Sequence, residues 1–301
     1  MVKITNPIYY EFLKLKIINR KNIIKICDSI RDQKMKVFKD RKSQVIFLEK
    51  SVANFKYYSS FHKHFDTYST QTKVNLKGNK TIKTPGLDND KRRYLTLKNF
   101  FLKKNVLDFG CCWGDFLNLI KNCSKSCSGF EIRDDCLRYI KKKYKNIDIK
   151  NDLDEFKKSF DIVTLFHVLE HLPNQVETLK KIRKKIKKKG KIIVEVPSAQ
   201  DFLISVKELP EFKKFTFWSE HLVLHTEKSL KKILSYSGFK KIKIKYIQRY
   251  GFANHLGWLL TRRPGGHEYF KKYSNKIIEA DYAQFLIENR QTDTLIGIGE
   301  N

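Results

Sequence analysis

The chain has 301 residues, 41% of them apolar and 13% aromatic, enough to bury a sizeable core in one medium domain with additions or in two small ones. Its 62 basic and 32 acidic side chains leave a formal charge of +30, a balance that suits a polyanionic partner such as nucleic acid or an anionic surface. Lys carries most of that excess and Arg is sparse, so solvated Lys in a compositionally biased chain is the favoured reading; a dedicated phosphate-binding face would use the bidentate fork of Arg.

Residues 1 to about 90 read as an N-terminal extension. Lys14, Lys16, Arg20, Lys21 and Lys25 interrupt every early apolar run, so no signal peptide is expected, and nowhere does an apolar run reach the length of a membrane span. Tyr57, Tyr58, Phe61, His62, His64, Phe65 and Tyr68 form an aromatic cluster, either core or a cap over a ligand. The extension ends in the turn-like Thr84-Pro85-Gly86-Leu87-Asp88. Cys27, Cys111, Cys112, Cys123, Cys127 and Cys136 include no C-x-x-C pair, and no later His or Cys cluster completes a zinc spacing, so no metal is expected. Reduced thiols and a cytoplasmic location follow.

From about residue 91, apolar runs and amphipathic segments alternate. Strands are predicted at Asn105 to Phe109, Ser126 to Ile132, Ile147 to Ile149, Phe160 to Phe166, Lys191 to Val196, Lys241 to Gln248 and Thr294 to Ile298. Helices are predicted at Asp115 to Lys121, Asp134 to about Lys143, Gln175 to Lys187 and Glu227 to Ser237, with Gly190 and Gly238 as C-terminal stops for the last two. The run from Phe160 to Phe166 is nearly all apolar, as a central parallel strand requires. This alternation predicts an α/β, doubly wound, mostly parallel seven-stranded sheet with helices on both faces. The prediction adds an insert of about 250–292 before the last strand, making a second domain of 91–301. Ligands of such sheets bind beyond the carboxyl ends of the strands.

One such end carries Val106-Leu107-Asp108-Phe109-Gly110-Cys111-Cys112-Trp113-Gly114-Asp115. Its glycines let backbone approach a ligand, its free amides can face a carboxylate, and Asp108 can accept from an ammonium. A ligand with both groups is an amino acid. Glu131 lies 23 positions after Asp108, at the end of the next strand, where an acidic residue can hold a ribose diol.

These motifs, with Phe160-Asp161-Ile162-Val163, His167-Val168-Leu169-Glu170-His171-Leu172 and Lys189-Gly190-Lys191-Ile192-Ile193-Val194-Glu195, resemble the class I S-adenosylmethionine-dependent methyltransferases over roughly residues 95 to 249. The resemblance implies S-adenosyl-L-methionine as cofactor. It places Asp108, Gly110, Cys111, Cys112 and Gly114 around the methionine part, and Glu131 on the ribose with Ile132 against the adenine. Asp152 and Leu153 would meet the adenine, and His167 would lie under the cofactor. The family usually has glycine where Cys112 stands. A G-x-G-x-x-G dinucleotide pattern is absent, and Leu165-Phe166-His167-Val168 replaces the Asn/Asp-Pro-Pro-aromatic motif of base-amino methyltransferases.

Methyl transfer needs a positioned nucleophile and, for some acceptors, a base. His167, Glu170 and His171 form one candidate group. The other, Trp218-Ser219-Glu220-His221, with His225 nearby, resembles the Glu-His pair of sugar-nucleotide methyltransferases, including sugar C-methyltransferases. There it implies His221 as general base and Glu220 as its orienter or a substrate ligand. The cysteine-rich zinc module that often opens that group is missing. Arg262 and Arg263, in the turn-rich insert, are candidates for a nucleotide-sugar phosphate or a solvated turn. The expected acceptor is thus a small molecule, with a sugar or nucleotide-linked sugar foremost. RNA is the alternative, and a non-catalytic cofactor-binding scaffold the third reading. Oligomeric state is left open.

Overall fold

The structure, a computed structural model, describes residues 3–52, 72–75, 80–83 and 89–301. The aromatic cluster at 57–68 and the turn at 84–88 lie outside the described residues. The strands, in chain order, are β1 (Ile23–Cys27), β2 (Val37–Asp40), β3 (Ile46–Leu48), β4 (Thr72–Asn75), β5 (Lys80–Lys83) and β6 (Asn105–Phe109). They continue with β7 (Ser126–Phe130), β8 (Asp148–Lys150), β9 (Phe160–Phe166), β10 (Ile186–Pro197), β11 (Val223–Leu224), β12 (Lys240–Ile247) and β13 (Thr294–Glu300).

Seven strands form one sheet in the order β12-β13-β10-β9-β6-β7-β8, with β9, β6, β7 and β8 mutually parallel along their shared ladders. This is the doubly wound architecture that the alternating pattern predicts. The β9 segment buries six of its seven residues, which is why it reads as a continuous apolar run. Register sets Asp108 of β6 opposite Gly129 of β7 on one side and Thr164 of β9 on the other, and the rings of Phe109 and Phe130 stack at 4.3 Å.

The described chain falls into two compact units. One comprises Ala53–Phe166, Lys180–Ile193 and Glu300–Asn301, and holds β6 to β9. The other comprises Met1–Val52, His167–Leu179 and Val194–Gly299.

The second unit holds a four-stranded antiparallel sheet, β1-β2-β3-β11, that the sequence pattern does not announce. Its entry is the helix Pro7–Lys14. Asn6 caps this helix by accepting from the Ile8 amide, and Pro7 occupies a first-turn position where no amide is needed. The same Asn6 side chain donates to the Leu48 and Leu222 carbonyls, both at 2.9 Å, and so ties β3 to the segment before β11. Between β12 and β13 the chain is helical at Phe252–Thr261, Gly266–Tyr269 and Lys276–Glu288. Trp258 of the first of these helices is buried against Phe212 and Phe215, within a core that also takes Met35, Val37, Leu48 and Leu203.

One boundary differs from expectation. The helix starting at Gln175 ends at Lys184, and β10 begins at Ile186, so Gly190 lies inside a strand instead of stopping a helix. A Cβ there would stand 2.9 Å from the Asp161 carbonyl and 2.7 Å from Ile186 Cγ2, so close backbone approach is what requires glycine. Gly238 does follow its helix in the left-handed conformation, φ 93°, as a C-terminal glycine should.

Candidate functional site

The carboxyl ends of β6, β7 and β8 bring Asp108, Gly110, Cys111, Cys112, Glu131, Ile132, Asp152 and Leu153 to one end of the sheet. The loop after β6 turns through three left-handed residues, Gly110 (φ 81°), Cys112 (φ 47°) and Gly114 (φ 77°). Cys112 thus occupies a conformation that costs an L-residue about 1–2 kcal/mol and costs glycine little, which accounts for the family's glycine at this place. Gly110 and Cys111 both donate their amides to the Phe130 carbonyl, which pins the loop to β7.

The Cys111 side chain is buried, and a Cβ on Gly129 would come within 2.6 Å of its sulfur and 2.7 Å of Ile149 Cδ1. The Cys111 side chain is therefore packing and is not offered to a ligand. Gly129→Ala is expected to destabilise the protein by about 1–3 kcal/mol through overpacking. Urea unfolding of G129A and of G129A/C111A checks this: the double variant should recover part of the loss, and equal losses would show that Cys111 is not the obstacle.

Asp108 is 4% exposed, and Oδ1 accepts from the Thr164 hydroxyl at 2.6 Å. Burial raises its carboxyl, the Thr164 hydrogen bond and the positive field of Arg93 oppose that, and the net position is about 7. Among the described residues no basic side chain forms an ion pair with Asp108, and the ammonium of an amino acid would supply a cation. Glu131 is also buried. Oε2 accepts from the Cys112 amide at 2.8 Å, and Oε1 accepts from the Ile132 amide at 2.8 Å and the Arg133 amide at 3.0 Å. Burial raises its pKa while those amides pull it down. Counting two lone pairs on each oxygen, Oε2 keeps one for a ribose hydroxyl. The two acids therefore fit the ammonium of an amino acid and a hydroxyl of a ribose.

Arg133, which sequence reasoning missed, steadies this loop. It pairs with Asp135 through both ends of its guanidinium and lies 5.2 Å from the centre of the buried Trp113 ring. Ile132 and Leu153 are half-buried. Asp152 is exposed and spends one oxygen capping the short turn Leu153–Glu155.

His167 follows directly on β9, in a left-handed conformation at φ 55°. Nδ1 contacts Glu170 Oε1 at 3.0 Å; Nε2 lies 3.2 Å from both Glu195 Oε1 and Arg249 Nη1. Both ring nitrogens are thus engaged by protein groups. Arg249, another residue missed from sequence, is half-buried, and the negative charges of Asp293 and Glu195 hold its pKa up against the desolvation that lowers it.

In the same unit, the turn Leu169–His171 carries Glu170 and His171, and the Leu222 amide donates to the Glu170 carbonyl at 2.9 Å. That bond sets His221 beside the turn, with its ring 5.0 Å from that of His171 and 5.7 Å from that of Trp218. Burial raises Glu170, but the His167 hydrogen bond and the fields of His167, His171 and His221 outweigh it and bring its pKa to about 2. Burial and the neighbouring His171 lower His221 to about 3 against the opposing field of Glu170. Glu220 is fully buried. Arg31 braces the segment, donating to the Phe215 carbonyl at 2.6 Å and lying over the Phe215 ring. Arg262 pairs with Glu211 at 3.0 Å.

A doubly wound sheet with a glycine loop after one strand, an acid at that strand's end and a second acid at the end of the next is the frame of a class I S-adenosylmethionine-dependent methyltransferase. Residues 87–244 match the methyltransferase domain family, more than half of the chain, and the chain belongs to that family. It is 38% identical over 124 residues to the uncharacterized protein MJ0638 of Methanocaldococcus jannaschii, covering 40% of this chain and 53% of that protein. It is 26% identical over 167 residues to a tRNA U34 carboxymethyltransferase of Aliarcobacter butzleri, covering 51% of each. The chain thus spans about half the length of the curated relatives it matches. Among solved structures, a SAM dependent methyltransferase from Archaeoglobus fulgidus is similar at 23% identity and TM-score 0.48, covering 70% of this chain and 92% of that one. The N-methyltransferase NodS of Bradyrhizobium japonicum, in complex with S-adenosyl-L-homocysteine, is similar at 12% identity and TM-score 0.43, covering 70% and 86%. Among the described residues, no helix is long and apolar enough to cross a membrane.

Proposed function

We propose that the chain transfers a methyl group from S-adenosylmethionine to a small-molecule acceptor, with a sugar or nucleotide-linked sugar as the candidate class. The observation that carries the donor half is Asp108, a buried carboxyl at the end of β6 whose charge an ammonium would stabilise. In this reading the loop of Gly110, Cys111, Cys112 and Gly114 lies along the methionine part by shape, its four amides being donated to Phe130, Glu131 and Cys111, and Glu131 takes a ribose hydroxyl. Ile132, Asp152 and Leu153 flank the adenine. When bound, the cofactor supplies a sulfonium methyl open to in-line attack. The residues of this chain hold it still and align the acceptor.

On the acceptor side we place His221 and Glu220. Calorimetric titration of the purified protein with S-adenosylmethionine is expected to give binding, and His221→Ala is expected to keep it while losing turnover. No binding heat would sink the donor reading, and full turnover in H221A would remove His221 from the mechanism. The unpaired state of all six cysteines is in keeping with a reducing, cytoplasmic setting.

A second reading, methyl transfer to RNA, is favoured by the +30 charge and by the tRNA named in one relative's description. It predicts RNA binding whose affinity falls steeply as salt rises. Absence of binding at low salt ends it.

A further inference from the structure

Three ligand-bearing side chains from two distant segments converge in one place. Donor atoms of Glu170, His171 and His221 all lie within 4.8 Å of one another. Glu170 is 0% exposed; one oxygen faces His167, and the other, Oε2, is buried without a hydrogen-bond partner. A buried carboxylate oxygen left unsatisfied is costly, and native structures avoid it unless something else fills its lone pairs.

We propose that Glu170, His171 and His221 bind one divalent transition-metal ion, zinc or a first-row relative. Two imidazoles and a carboxylate form the usual donor set of an open zinc site, and they suit neighbouring first-row metals as well. Bonds of about 2.0–2.2 Å in a tetrahedral shell place donors about 3.4 Å apart, so a rotation of the two partly exposed rings draws the three donors in. The surrounding contacts already orient the set. His167 Nδ1 holds the other Glu170 oxygen at 3.0 Å, and the Leu222 amide bond fixes the His221 segment to the Glu170 carbonyl. A ligating carboxylate held by an outer hydrogen bond is the common second layer of such sites. Three protein ligands leave a coordination position for water or an oxygen-bearing acceptor, so His221 acts through the cation and not as a free base. The site departs from what cysteine spacing suggests, because its third ligand lies fifty positions from the second.

The test uses the full chain, stripped with a chelator and free of S-adenosylmethionine, so its outcome does not depend on the donor reading. Equilibrium dialysis against cobalt(II) or zinc(II) with elemental analysis is expected to give one ion per chain, a raised melting temperature and a cobalt spectrum without a thiolate charge-transfer band. E170Q, nearly isosteric, and H171N, at a partly exposed position, are each expected to weaken binding by at least about 100-fold and to remove the metal-dependent rise in melting temperature. Circular dichroism of the stripped variants separates ligand loss from unfolding. The proposal is overturned if the wild-type chain binds no ion, if both folded variants bind as tightly, or if a thiolate band appears and is abolished by C112S.

Discussion

Asp108→Asn is expected to weaken S-adenosylmethionine binding by about 2–4 kcal/mol, roughly 30- to 1000-fold, while leaving the ligand-free protein as stable as the wild type or more so above pH 7. The two effects have opposite signs because they come from the same buried charge. In the ligand-free protein the carboxyl is 4% exposed, has Thr164 at 2.6 Å and is raised from 3.8 to about 7. An acid raised on folding binds more protons in the native state than in the unfolded one, so its contribution to stability is present below about pH 4 and is lost as pH climbs through about 7. Asparagine removes that dependence.

Binding runs the other way. An ammonium seated on Asp108 needs the carboxylate, so below pH 7 the ligand must first displace a proton. Wild-type affinity is expected to rise about tenfold per pH unit up to about 7 and then level off, and the D108N affinity should stay flat across the same range. Calorimetry at pH 5.5, 6.5, 7.5 and 8.5 reads both. If D108N binds as tightly as wild type, the ammonium sits elsewhere and the donor pocket has to be redrawn.

The placing of the glycine loop and the two acids at the carboxyl ends of β6 and β7 was legible in the sequence because its signals are local. A strand, an acid, two glycines and a helix follow one another within a dozen residues, and Glu131 arrives one βα unit later. The β9 run was legible for a related reason: a strand covered on both faces can be apolar without alternation. What was not legible is non-local. The sheet β1-β2-β3-β11 pairs Phe47 with Val223, and nothing near either residue marks the other. His221 meets Glu170 and His171 through that same long-range pairing, so a search for spacing could only exclude zinc patterns written in one stretch. Arg133 was passed over among many surface Lys and Arg, since burial of a cation leaves no trace in composition, and Arg249 because its partner Asp293 lies 44 positions on. Gly190 was misplaced for another reason. Ile186 continues the helical spacing of Val176, Leu179 and Ile182, yet it is buried just as well as the first residue of a strand. A single residue that satisfies both periods cannot fix the boundary.

The largest stability effect is expected at Asp293, far in sequence from every motif. Its carboxylate accepts from the amides of Arg249 and Tyr250, from Arg249 Nε at 3.2 Å and from the Thr294 hydroxyl at 2.6 Å. Asp293→Ala strips a half-buried guanidinium of its main counter-ion and leaves two amides unsatisfied, a loss of about 2–4 kcal/mol. One term offsets part of this. Asp201 is raised to about 7 by burial and then by the negative charge of Asp293, and that repulsion vanishes in the variant. Asp293→Asn keeps the shape and some of the acceptors, so about 1.5–3 kcal/mol is expected for it. Urea unfolding at pH 7.5 orders the three proteins as wild type, D293N, D293A. The consequence reaches further than stability, because Arg249 Nη1 is 3.2 Å from His167 Nε2, and the other nitrogen of that ring holds Glu170. Loosening Arg249 frees the imidazole that orients the Glu170 carboxylate, so D293N is also expected to weaken metal binding about tenfold without touching a ligand. A D293A protein within 1 kcal/mol of wild type would mean that Glu195 alone balances Arg249. In that case His167 would keep its orientation, and metal affinity in D293N would stay at the wild-type value.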